Sequence, residues 1–348
     1  MQCVKFGSFE PFFHSSATYV RWTDEAYRVR EDSHKMANPE ASGLDTHDFY
    51  KRLDTSIEQG EAMCKYLEDE ADKMLAKRLT SELRLIKSKF CSKDEAQKTR
   101  KPPFCVLVYG DTKLAKTNFT SMLFQQFGKV NGKDTNPDCQ WSHGPTDNFY
   151  SGFALHKWCI VLDDIAMFKP GNVLDPTLAD VLLIANGASF VAPMADIEDK
   201  GVIPVRPDFV IANTNTKDLN AHAYFSCPLA VRRRFPYVIT LEVKPEFCST
   251  MTLPSGLVTK THMLDPALVP HLEDGDYMDI WNIKLEKLVA VPVVGAPSTP
   301  GYEAIADFDN IYDFMAVFSA LSQEHRRCQD RAMDALNSMV QLEICKKC

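Results

Sequence analysis

The run Gly110-Asp111-Thr112-Lys113-Leu114-Ala115-Lys116-Thr117 follows an apolar strand-length segment and opens a helical one. A loop in that setting cradles phosphate with its backbone N–H groups and the helix N-terminus. Lys116 would then place its ammonium on the β- and γ-phosphates, and Thr117 would offer a hydroxyl to Mg²⁺. One residue departs from G-x-x-x-x-G-K-[ST]: Ala115 stands where the second glycine belongs, and a methyl group there is expected to crowd the phosphate or strain the turn. Taken alone, the run also describes an ordinary strand-to-helix turn with a surface lysine.

Three further constellations lie downstream. Trp158-Cys159-Ile160-Val161-Leu162 ends in Asp163-Asp164, two carboxylates at the carboxyl end of an apolar strand, where ligands of open α/β sheets bind. Asp163 would hold Mg²⁺ through its water shell, and Asp164 would orient or deprotonate an attacking water; the plain alternative is a pair of solvated loop carboxylates. Phe209-Val210-Ile211-Ala212 runs into Asn213-Thr214-Asn215, an amide source for a γ-phosphate or lytic water, or simply an Asn-rich turn. Arg232-Arg233-Arg234 beside a hydrophobic stretch suits an arginine finger reaching a neighbouring subunit's nucleotide, or a solvated basic turn.

The elements that must carry these groups are readable as patterns. Residues 104–109, 159–162 and 209–212 are short runs apolar on both faces, as in a parallel sheet covered by helices. Residues 118–127 and 178–184 supply such helices. A further strand is expected over 280–291, and 292–301, with three prolines and two glycines, has a linker's composition. From Tyr302, the apolar residues Ile305, Phe308, Tyr312, Met315, Phe318 and Leu321 step at helical spacing, predicting a carboxy-terminal helix or helix pair over 302–348. At the other end, residues 1–50 carry Phe6, Phe9, Phe12 and Phe13 without sustained periodicity and read as irregular or weakly helical. Leu67, Ala71, Leu75, Leu79, Leu83, Ile86 and Phe90 then mark one helix face, packed on the following domain or used at a membrane surface or in oligomerisation. The implied layout is a helical region 1–95, a nucleotide-binding domain 96–291, a linker 292–301 and a helical region 302–348.

Composition narrows the classes. A net charge of −8 and a pI of 5.6 exclude a binder basic over its whole surface, so nucleic-acid contact must be local. No run of 18 apolar residues occurs, the length a membrane-spanning helix needs. Eleven cysteines, an odd number, several within apolar runs, fit a reducing, cytosolic compartment. Cys345 and Cys348 form the one C-x-x-C, half of the four ligands that structural zinc requires.

The four constellations occur in one order, and with their surroundings the sequence resembles the superfamily-3 (2C-like) helicases of picorna-like viruses over about residues 79–288. The resemblance is carried by Arg100-Lys101-Pro102-Pro103, Phe149-Tyr150-Ser151-Gly152, Leu162-Asp163-Asp164-Ile165, the stretch Met194-Ala195-Asp196-Ile197-Glu198-Asp199-Lys200-Gly201, Asn213-Thr214-Asn215 and Ala230-Val231-Arg232-Arg233-Arg234-Phe235. It implies an α/β fold of the P-loop NTPase (AAA+-like) kind, a parallel sheet flanked by helices with helical extensions at both termini. It also implies Asn215 as sensor, Arg233 and Arg234 as fingers, and Mg²⁺-dependent ATP hydrolysis. By the same likeness come a ring-shaped, usually hexameric homo-oligomer, sequence-independent RNA contact for which Lys200 is a candidate, and work at membrane-associated replication complexes in the host cytoplasm, with peripheral membrane contact through the amino-terminal region. The cysteine-rich zinc segment of some members has no counterpart between residues 247 and 291, where Cys248 stands alone. A competing reading is a non-hydrolytic oligomeric scaffold for RNA or membrane, prompted by Ala115.

Overall fold

The computed structural model describes residues 16–36, 42–92, 98–171, 175–195, 200–254, 257–273 and 275–340. The amino-terminal phenylalanines, residues 196–199 and the Cys345/Cys348 pair lie outside the described residues. The chain forms two compact units: Met1–Lys98 with Ser151–Lys157 and Val191–Val205, and Thr99–Tyr150 with Trp158–Phe190 and Arg206–Cys348.

The first unit is built on three helices, α1 (Ser16–Lys35), α2 (Thr46–Tyr66) and α3 (Glu70–Phe90). Trp22, Ala26 and Val29 on α1, Phe49, Leu53 and Ile57 on α2, and Ala76, Leu79, Leu83 and Ile86 on α3 are buried, each set at the three-and-four spacing that puts side chains on one face. Asp45 caps α2 by accepting from the His47 and Asp48 N–H groups, and Asp69 caps α3 through Asp72 N–H. Of the two readings of residues 1–50, the helical one holds for 16–35, a regular helix whose stripe is hidden in sequence by the charged residues between Tyr19, Trp22, Ala26 and Val29. One expectation changes here. The face read as continuous from Leu67 to Phe90 is interrupted, because Leu67 is extended and ends α2 before Asp69 starts α3. Gly60 lets α2 approach its neighbours: a Cβ there would lie 2.2 Å from Thr80 Oγ1 and 2.7 Å from Trp22 Cζ2.

The second unit is an α/β P-loop NTPase fold. Its seven-stranded sheet has the order β2-β3-β4-β1-β5-β8-β9, with β1 (Phe104–Tyr109), β2 (Gln140–His143), β3 (Cys159–Leu162), β4 (Phe209–Thr214), β5 (Tyr237–Val243), β8 (Trp281–Val293) and β9 (Ala296–Phe308). The first five are parallel and the last two antiparallel. Every residue of β3 and β4 is buried, as interior parallel strands require. A separate two-stranded ladder joins β6 (Cys248–Thr252) and β7 (Val258–Leu264). Helices α4 (Lys116–Asn131), α5 (Pro176–Ile184) and the 30-residue α8 (Ile311–Val340) flank the sheet, with short α6 (Ala221–Tyr224) and α7 (Pro228–Arg232) before β5. Between sheet and helices lies an aromatic core in which Phe127 stacks on Phe209 at 4.5 Å and Phe104 meets Phe318 edge-on at 5.7 Å.

Residues 292–301 are not a linker: they belong to the β8–β9 hairpin, with Val293 opposite Ala296. The prolines fit because β9 is the sheet's edge, β8 is paired with β5 only as far as Lys287, and the ladder shifts register at Pro292. Ile305 and Phe308 accordingly sit on a strand, and the carboxy-terminal helix starts at Ile311. Among the described residues, no helix is long and apolar enough to cross a membrane.

Candidate nucleotide site

Strands β3, β4 and β1 are adjacent and parallel, so the loops leaving their carboxyl ends share one end of the sheet. Register makes this concrete. Tyr109 faces Thr214 and Leu162 faces Ala212, so Gly110 emerges level with Asn215, and Asp163 level with Asn213 two positions earlier on the same strand end. Crossover connections leave β1 for β2 and β4 for β5 on opposite sides of this point, the switch at which open α/β sheets bind ligands.

The loop after β1 is tightly constrained. A Cβ on Gly110 would lie 2.7 Å from Leu114 Cδ1 and 3.1 Å from Leu241 O, so a larger residue would have to displace the Leu114 side chain. Lys113 (φ 57°) and Ala115 (φ 54°) are left-handed. Ala115 precedes the first residue of α4 and gives it no side-chain cap, leaving the partial positive charge of a four-turn helix facing the loop. The Ala115 methyl packs against the hydrophobic core, so the side chain expected to crowd a phosphate is turned inward.

Lys116 Nζ donates to Gly110 O (2.8 Å), Asp111 O (3.3 Å), Thr214 O (3.4 Å) and Asn215 Oδ1. Burial lowers the Lys116 pKa below the usual lysine value, against the opposing pull of Asp164, then Asp111 and Asp163. Asp111 follows β1 and Asp163 and Asp164 follow β3, so all three carboxylates leave the same end of the sheet as this ammonium. Asp163 is held twice: its N–H donates to His143 O at 3.1 Å, and its Oδ1 accepts from Asn213 Nδ2 at 3.1 Å. Asp164 is exposed with φ 47°, and the loop behind it is tied to β4 by Ile165 N–H to Asn213 O (2.9 Å) and Thr214 Oγ1 to Ile165 O (2.9 Å). Thr117 is exposed on the first turn of α4 beside Lys116.

Sequence reading singled out Asn215 and missed the separate task of Asn213. The signal was available: positions 213 and 215 of an extended strand end share a face, and the two amides serve Asp163 and Lys116 respectively. It also missed Lys217, which ion-pairs with the buried carboxylate of Glu286 and lies 4.7 Å from the Tyr302 ring, while Tyr302 Oη donates to Lys217 O at 3.1 Å. The segment after Asn215 is thereby braced by β8 and β9.

Arg233 and Arg234 are not gathered with these groups. They close α7 just before β5, whose Tyr237 is level with Val106, at the opposite end of the sheet from Gly110. The four strand positions from Tyr237 to the level of Gly110, at about 3.3 Å each, set the turn that holds them roughly 13 Å or more along the sheet from the loop. Arg233 is exposed; burial, then Arg233, lowers the pKa of Arg234. Arg232 is buried and sits 4.8 Å from the Tyr302 ring.

The oxygen donors Thr117 and Asp163 are of the hard kind that Mg²⁺ takes, usually one or two from protein with the rest from phosphate and water. Among the described residues, no group of three or more His, Cys, Asp or Glu gathers as a metal site.

A family model described as RNA helicase matches residues 106–216, the stretch holding the loop, both aspartates and both asparagines. The chain is 26% identical over 147 residues (42% of its length) to the RNA1 polyprotein of Red clover mottle virus and 30% identical over 169 residues (48%) to the genome polyprotein of Human rhinovirus A serotype 89. It is 25% identical over 145 residues (42%) to that of Human enterovirus 70. The matches span 8%, 7% and 6% of those polyproteins. Strand order and loop geometry agree with these likenesses: across the stretch that holds the loop, both aspartates and both asparagines, the chain is similar to the superfamily-3, 2C-like helicases of picorna-like viruses.

Proposed function

We propose that the chain hydrolyses ATP with Mg²⁺ and uses the energy to remodel RNA or RNA–protein assemblies during viral genome replication. The observation that carries this is the convergence of Lys116, Asp163, Asp164 and Asn215 at the carboxyl ends of three adjacent strands. The amides from Gly110 to Thr117 and the α4 N-terminus cradle the phosphates, and Lys116 neutralises β- and γ-oxygens. Thr117 and Asp163 hold Mg²⁺, which supplies charge neutralisation to the same oxygens. Asp164 orients the attacking water and accepts its proton, and Asn215 senses the γ-phosphate beside Lys116. Arg233 and Arg234, out of reach of their own loop, serve the site of a neighbouring copy in a hexameric ring, as fingers do in trans. RNA contact is sequence-independent, with Lys200 one contributor. Work at membrane-associated replication complexes in the host cytoplasm, with peripheral contact through the amino-terminal helices, completes the reading. The inward methyl of Ala115 removes the main support for a non-hydrolytic scaffold.

Phosphate release from MgATP by the parent, Lys116→Ala and Ala115→Gly proteins tests this. The parent should turn over ATP and Lys116→Ala should lose at least about a hundredfold, since one charge-assisted contact set in a transition state contributes roughly 3 kcal/mol. Equal background rates in all three would overturn the reading.

A further inference from the structure

The second-glycine position of the loop holds an alanine in the left-handed region, which costs an L-residue roughly 1–2 kcal/mol; something must hold it there. The peptide joining residues 114 and 115 is planar, so its C=O and N–H point in opposite directions and turn together. Rotating that one plane by a half turn would carry Ala115 to negative φ, where alanine is relaxed, and would swing its N–H to the other side of the loop.

Three successive carbonyls of the loop are tied by hydrogen bonds. Lys113 O accepts from Leu264 N–H at 3.0 Å, Leu114 O from Trp281 Nε1–H at 2.7 Å, and Ala115 O from the N–H groups of Asn118 (3.1 Å) and Phe119 (3.2 Å). The middle bond controls the plane in question. Trp281 has 0% of its surface exposed, and its indole meets Phe119 of α4 edge-on at 5.3 Å, so the donor cannot rotate away. A flipped peptide would turn the Ala115 N–H towards the buried indole N–H, leaving two donors face to face without an acceptor, each costly. With the Leu114 carbonyl turned inward, the Ala115 N–H faces outward, into the side of the loop bounded by Lys116.

We propose that Trp281 is a positioning residue for nucleotide binding: its indole N–H locks the 114–115 peptide so that Ala115, without a glycine's freedom, keeps its amide aimed at the phosphates. This rests on the ATP-site reading above. It also explains how a chain with alanine at this place keeps a working cradle. With glycine at 115 the left-handed form carries no penalty, and the lock becomes dispensable.

The test compares four full-length proteins: parent, Trp281→Phe, Ala115→Gly and the double variant, by MgATP affinity with a fluorescent ATP analogue and by urea unfolding. Phenylalanine keeps most of the ring contact and deletes the donor. Trp281→Phe should weaken MgATP binding on the order of tenfold, and adding Ala115→Gly should bring affinity back to within about threefold of Ala115→Gly alone. A purely structural tryptophan would give the same loss in both backgrounds, and that result, or unchanged affinity in Trp281→Phe, overturns the proposal. Should the parent bind no MgATP, the nucleotide reading fails and the lock is judged by unfolding. Coupled stability changes at 281 and 115 support it, and additive ones overturn it. Benzothienylalanine at 281, in which sulfur replaces only the N–H, gives the same comparison where phenylalanine leaves the core underfilled.

Discussion

The ammonium of Lys116 donates to the side-chain oxygen of Asn215, 99 positions later in the chain. Parallel pairing of β1 with β4 makes this possible, because it sets Gly110 next to the residue after Thr214. The bond joins the group that would neutralise a γ-phosphate to the group that would sense it, so displacement of one must be felt by the other.

A half-buried lysine beside three carboxylates sets the pH response. Burial disfavours the charged form and lowers the Lys116 pKa, while Asp164, Asp111 and Asp163 raise it. The folded chain therefore resists the Lys116 charge at pH below the lowered value, and this cost disappears as pH rises towards the unfolded lysine value. MgATP affinity should run the other way, falling through the folded pKa as the ammonium is lost. Asp164→Asn removes the largest opposing charge, so the alkaline limb of a binding-versus-pH curve should move to lower pH; a shift to higher pH contradicts the assignment.

Asn213→Ala isolates the second amide. Asp163 would lose its 3.1 Å donor, a net contribution of about 1–1.5 kcal/mol to its position. The Mg²⁺ concentration giving half-maximal turnover should rise about fivefold to tenfold, with thermal stability little changed. A Mg²⁺ titration of the two proteins distinguishes this from general loss of fold.

The distance of Arg233 and Arg234 from their own loop predicts complementation. Lys116→Ala and a double Arg233→Ala, Arg234→Ala protein should each be inactive as sole species. Mixed, the first lends its arginines to intact loops of the second, and ATP turnover should return to a measurable fraction of the parent rate. Turnover that stays at background in every mixture would exclude action between subunits.

In the first unit, Gly60→Ala forces a methyl into Thr80 and Trp22, overpacking that costs about 1–3 kcal/mol. Urea unfolding should report that loss, while Gly43→Ala, with open space around it, is limited to the strain of a positive φ.

The loop, the acidic strand end and the asparagines were legible because each is a local motif attached to a strand apolar on both faces. What escaped depends on pairing. β2, only four residues with three polar ones, and β5 carry no motif and are defined by their neighbours. The β8–β9 hairpin hid behind prolines that an edge tolerates and a central strand does not. The Trp281–Leu114 bond spans 167 positions, and nothing in the spacing of either residue announces it. The separate helices α2 and α3 blurred into one period because Leu67 continues the stripe while leaving the helix.

The first unit is assembled from three stretches of chain. Phe153, Leu155, Ala192, Ile203 and Val205 of its later stretches are buried, and His156 lies 3.6 Å from Asp54 on α2. Burial pushes the Asp54 carboxyl up, but His156 and Lys87 outweigh it and hold it below the usual value. During synthesis, then, the helices of residues 16–90 leave the ribosome lacking part of their own interior, and must wait for more than a hundred further residues before it can be completed. A protease acting within the intervening chain would sever a scaffold, not trim a tail.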